Sequence, residues 1–189
     1  FCKPAEPITY DGSHLVKMAN CPNFDPPVEH RLIGVIDSVF FHEIAHALID
    51  IYDLPIPFAH EENADSMSAF IILETYPDGG NDVIRDAAWE YWIIASTEEL
   101  TFSRFADEHK LGIQRFYDMA CFAYGKNPEL NKDLLEAGLL PEWKAEKCSY
   151  IYANAAYQWF KLLEPWLYHP SQSTSDPTPD PTPAPTPAP

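Results

Sequence analysis

One stretch constrains this chain more than any other. Between residues 29 and 53 the apolar side chains Leu32, Ile33, Val35, Ile36, Val39, Phe40, Ile44, Ala47, Leu48 and Ile51 recur at helical spacing around most of the circumference. The pattern predicts a long buried helix, ended by Pro55 and Pro57. Late in that helix stand His42, Glu43 and His46. Burying three such groups together is costly unless they have partners. Two histidines four residues apart on a helix share one face, so both imidazoles can reach a single ion while Glu43 sits beside them. The HExxH spacing therefore points to a Zn2+ site with Glu43 as the group that handles a water proton.

A catalytic zinc usually takes three protein ligands and keeps one position open. The metzincin completion would need Gly at position 49 and His at position 52, where this chain has Ile49 and Tyr52. The next helix is expected to open at Glu61, with Glu61 and Glu62 in a first turn where the macrodipole favours carboxylates, and to stop before Pro77. Glu61 and Asp65 are four apart and share a face, so Glu61 can reach the metal while Asp65 holds a ligand imidazole by its other nitrogen. Glu62 is the alternative third ligand, followed by His60 and Asp50. A cluster of acids that merely complements the helix dipole is the competing explanation.

The remaining pattern is mainly helical. Helical spacing recurs over about 81–102 and 106–124, with Gly125 as a C-terminal stop; Asn127-Pro128 then starts a short helix ending at Gly138, and Pro141 a longer one running through Trp159 until Pro165 interrupts it. Near the N-terminus, Ile8-Thr9-Tyr10 and His14-Leu15-Val16 flank Asp11-Gly12, which predicts a short β-hairpin, and the proline-rich stretch 21–27 reads as a loop. Residues 170–189 switch to alternating Pro with Thr, Ala and Asp, which reads as an extended linker to a further module. The expected organisation is a hairpin segment at 1–24, a helical domain at 25–169 and a disordered linker at 170–189.

A net charge of −17 repels phosphate backbones and anionic lipid, so no nucleic-acid partner is expected. The apolar runs are interrupted by His42, Glu43, His46 and Asp50, or by Arg85, Asp86 and Glu90, from which no membrane insertion is expected. Cys2, Cys21, Cys121 and Cys148 form no CxxC pair. Of the three possible connectivities, Cys2–Cys21 and Cys121–Cys148 are preferred because each pair flanks a short stretch of structure. Disulfides imply a secreted or extracytoplasmic protein, and the absence of a basic-then-apolar leader before the fold is taken as a signal peptide removed or never included.

HExxH followed on the next helix by Glu and, four later, Asp resembles the gluzincin group. A closer resemblance is to the uncharacterised, mainly bacterial family of metallopeptidase-like proteins of the zincin (gluzincin-like) group. It is carried by Phe41 to Asp50, Leu54-Pro55 and Glu61-Glu62-Asn63-Ala64-Asp65. It continues through Asp107-Glu108-His109, Gln114-Arg115-Phe116, Cys121, Tyr124-Gly125, Cys148 and Trp159. The hairpin with its two cysteines also looks like that family's. The resemblance implies a zincin-like, mainly α domain with a short N-terminal β-hairpin (α+β). It implies a zinc metallopeptidase acting on a peptide or protein substrate, with water activated by Glu43. His109 or Arg115, both in the family-like segment, would then supply the donor for the oxyanion. The bland alternatives are a surface histidine and a structural salt-bridge arginine. Two further readings stand beside this one: a non-catalytic metal-binding interaction module, and a zinc amidase acting on a non-protein amide.

Overall fold

The computed structural model describes residues 28–56, 60–77 and 80–167. It contains α1 (Val28–Ile51), α2 (His60–Thr75), α3 (Asn81–Thr97), α4 (Phe102–Phe105), α5 (Gly112–Lys126), α6 (Lys132–Glu136) and α7 (Glu142–Leu163), closed by a 3-10 turn at Glu164–Trp166. The protein is mainly α, and no strand occurs among the described residues. The expected hairpin, the Cys2–Cys21 pair, the loop at 21–27 and the linker at 170–189 lie outside them.

Helices pack in the order α2 and α3 on α1, α5 on α3, and α7 on α5. Small residues at the crossings allow close approach: Ala87, Ala88, Ala120 and Ala123 are buried between α3 and α5 with Ile84, Phe116 and Met119. Each large apolar side chain buried there contributes about 1.5–3 kcal/mol. A second cluster, Ala45, Ile49, Leu54, Ala64, Met67, Trp159 and Leu163, lies under the start of α2. Cys121 of α5 and Cys148 of α7 form a disulfide with their Cα atoms 5.0 Å apart. Gly125 is not a helix stop, because α5 continues to Lys126. Its missing side chain instead makes room for the Cys148 carbonyl, which a Cβ would strike.

Two expectations need correction. First, α1 is not buried all round. Its inward positions are Arg31, Gly34, Ser38, His42, Ala45 and Ile49, whereas Leu32, Ile33, Ile36, Val39 and Phe40 are exposed in the described structure. A helix with an apolar circumference still presents one face to its neighbours, and the face of α1 that meets α3 is the one with small and polar side chains. At Gly34 a Cβ would fall within 3.0 Å of Asp86 Cγ on α3. By length and composition, Arg31–Ile51 is apolar enough to cross a bilayer, so its charge interruptions do not by themselves exclude a span. Its inward polar groups nonetheless meet protein partners, Arg31 facing Asp86 at 3.7 Å and His42 bonding Asp65.

Second, the helix expected over 81–102 stops at Thr97, and the one expected from 106 begins at Gly112. Glu98 turns extended, with φ −73° and ψ 126°, and its carboxylate is taken by Arg104 and by the Gly112 N–H. Side-chain bonds to backbone thus hold 106–111 as a loop where apolar spacing suggests continuity. At the end of α1, Asp53 adopts φ 47° and the Leu54 N–H donates to the Ile49 carbonyl at 3.0 Å. This turn sends the chain back toward α2.

Candidate metal centre

One turn of α1 separates His42 from His46, and their Nε2 atoms lie 3.0 Å apart on the side facing α2. Glu61, in the first turn of α2, brings Oε2 to 3.1 Å from Nε2 of His42 and 3.4 Å from Nε2 of His46. Three electron-rich atoms in so small a triangle repel one another unless a proton or a cation lies among them. Ligands about 2.0–2.1 Å from a tetrahedral Zn2+ are separated from one another by about 3.3–3.4 Å, so this donor set fits such an ion.

The distal nitrogen of each histidine is also engaged. His42 Nδ1 donates to Asp65 Oδ1 at 2.9 Å. Arg115, from α5, grips the same carboxylate with two prongs, Nε to Oδ2 at 2.8 Å and Nη2 to Oδ1 at 2.6 Å. Tyr91 of α3 adds its hydroxyl at 3.4 Å, and the Arg115 guanidinium lies 4.0 Å from the centre of the Tyr91 ring. Burial alone would raise the pKa of Asp65, but its bonds to His42 and Arg115 hold it below the ordinary carboxylate value. Burial alone would lower that of His42, but the Asp65 bond and charge raise it above the usual histidine value. His46 Nδ1 lies 2.8 Å from Nδ1 of His60, the two rings stacked at 4.7 Å, and His60 Nε2 is 3.7 Å from Asp50.

Glu61 and its neighbour diverge, as adjacent helical residues must. Glu62 points away from the histidines and pairs with Lys110 at 3.0 Å. His109 comes from the loop before α5 and places Nε2 2.9 Å from Glu61 Oε2, while its Nδ1 is 3.2 Å from Asp107. Donor atoms of His42, Glu61 and His109, and those of His46, His60 and Glu61, each lie within 4.8 Å of one another. Glu43, on α1 between the two histidines, is exposed.

The structure therefore brings His42, His46, Glu61, Asp65 and His109 together and leaves Glu62 outside. The Arg115 guanidinium is committed to Asp65. Sequence reasoning did not anticipate Tyr91 on Asp65, Asp107 on His109, or His60 as the partner of His46. The last two had local signals, an Asp two residues before His109 and a His directly before Glu61.

No curated protein and no solved structure matches the chain. The family model DUF4344, described as "Putative metallopeptidase", matches residues 16–163. The match covers well over half of the 189 residues, and the chain belongs to that metallopeptidase family.

Proposed function

We propose that this protein is a secreted, single-zinc peptidase of the gluzincin type, with His42, His46 and Glu61 as metal ligands. The observation that carries this reading is the triangle of Nε2, Nε2 and Oε2 atoms with sides of 3.0, 3.1 and 3.4 Å. Bound zinc supplies Lewis-acid polarisation and makes a water nucleophilic near neutral pH. Glu43, exposed beside the ligands, takes the proton of the attacking water and hands it to the departing amine. Asp65 fixes the His42 ring so that Nε2 faces Glu61, and Arg115 with Tyr91 fixes Asp65. His109, at the rim and bonded to Asp107, is the side chain that meets the developing oxyanion. The Cys121–Cys148 disulfide supports an oxidising, extracytoplasmic setting.

The test combines zinc stoichiometry with cleavage of a quenched fluorescent peptide library by the wild type and by Glu43→Gln. The expected result is one zinc per chain in both proteins, with the variant's turnover reduced by roughly 10²-fold or more. A zinc-loaded Glu43→Gln protein that cleaves like the wild type would sink the mechanism.

A further inference from the structure

Residues 106–109 are exposed, and the loop they belong to has little buried side chain of its own to hold it. Lys110 at its end pairs with Glu62 and Asp118, and the loop's backbone carbonyls are held by one side chain from α4. Arg104 donates from Nη1 to the His109 carbonyl at 2.7 Å and from Nη2 to the Lys110 carbonyl at 2.5 Å. Its Nε donates to Glu98 Oε1 at 2.5 Å. The Glu98 side chain is only 7% exposed, and its other oxygen accepts the Gly112 N–H at 3.1 Å. One guanidinium and one buried carboxylate thereby tie together the end of α3, α4, the last carbonyls of the loop and the first residue of α5.

This bracket is not helix capping. The Thr101 hydroxyl already accepts the Arg104 N–H at the start of α4, at 3.2 Å. The carbonyls that Arg104 reaches precede α5 and lie outside its ladder. They belong to the residue whose ring sits 2.9 Å from Glu61 and to the residue after it. Asp107 completes the local geometry by accepting the His109 N–H at 2.8 Å as well as facing its ring.

We propose that Arg104, braced by Glu98, is a positioning residue that sets the His109 ring against the metal centre. The proposal rests on the reading of His109 as the group that meets the substrate oxyanion. A guanidinium suits the task because its planar fork reaches two carbonyls and a carboxylate at once, whereas a lysine can satisfy these only in part.

The experiment uses the full zinc-loaded chain with Arg104→Met, Arg104→Lys, His109→Ala and the Arg104→Met/His109→Ala double variant. Its readouts are cleavage of the quenched peptide library, zinc affinity by chelator competition, and amide hydrogen exchange over 106–111. Arg104→Met is expected to lower kcat roughly 10- to 100-fold with KM little changed, since small misplacements of a reacting group are that costly. Arg104→Lys should recover part of the loss. Exchange over 106–111 should quicken, zinc affinity should stay at the wild-type value, and Arg104→Met should cost nothing further once His109 is alanine. Additive losses in the double variant, weakened zinc binding in Arg104→Met, or unchanged exchange would each overturn the bracket while leaving His109 its role. Wild-type cleavage by His109→Ala would remove that role, and the proposal with it.

Discussion

Among individual residues, the contrast that matters is between the side chains proposed as metal ligands and the side chains that aim them. His42 is aimed by a buried carboxylate that is itself gripped by Arg115, whereas His46 is aimed by the half-exposed ring of His60. Loss of such partners typically weakens metal binding about 10- to 100-fold. Arg115→Met is therefore expected to lower zinc affinity by that order, measured by chelator competition. Glu62→Gln, which removes only a Lys110 pair, should stay within about twofold of the wild type. A loss of zinc affinity in Glu62→Gln as large as that expected for Arg115→Met would contradict the assignment of Glu61 over Glu62. Sequence reading was strongest where spacing decides position: His42 with His46, and Glu61 with Asp65, are each i and i+4 on one helix. It was weakest for Arg115, fifty residues from Asp65, because only the packing of α5 against α2 decides whether that guanidinium faces a substrate or a carboxylate. The choice between Glu61 and Glu62 needed the same information.

Between elements, the α1–α3 contact carries a charge with a definite pH signature. Asp86 is packed against Gly34, and burial raises its pKa from 3.8 to about 6, although Arg31 nearby works to lower it. The folded protein keeps this proton up to about pH 6, whereas the unfolded chain releases it near 3.8. Stability from this group is thus greatest at low pH and falls as pH rises from about 4 to 6, by at most about 3 kcal/mol. Thermal melts of Asp86→Asn across that range should lack this component, and a slope identical to the wild type would refute the assignment. Apolar periodicity predicts α1 to within a few residues, as first-turn carboxylates with Pro77 predict α2 and Pro141 with Pro165 predict α7. It fails between Thr97 and Gly112, where the side-chain bonds of Glu98 and Arg104 override it. Nor could it tell which face of α1 turns inward, since apolar residues surround that helix and small ones decide the contact.

For the molecule as a whole, the crosslink between α5 and α7 closes a loop with a sequence separation of 27. Chain entropy alone assigns such a bridge about 3–4 kcal/mol. The Cys121→Ala/Cys148→Ala variant is expected to melt roughly 10 °C lower, read by calorimetry. A shift of only a degree or two would show that the packing around Gly125, not the bridge, fastens the pair. Sequence anticipated this pairing from two cysteines at the ends of a helical stretch. It also places Glu61 and Asp65 of the second helix against His42 and His46 of the first, but not the loop contacts that bring His109 to Glu61.

That convergence has a thermodynamic side. His42 and His46 belong to one helix and Glu61 to the next, with a turn between them that contains the left-handed Asp53. An ion held by all three is a crosslink that the unfolded chain cannot reproduce, so occupancy adds to the free energy of folding by mass action. It adds about 4 kcal/mol when free zinc is a thousandfold above its dissociation constant. The melting temperature should climb with the logarithm of free zinc, drop on chelation, and lose this dependence in Glu61→Gln. The endurance of the fold would then track the metal supply of the compartment in which the protein works.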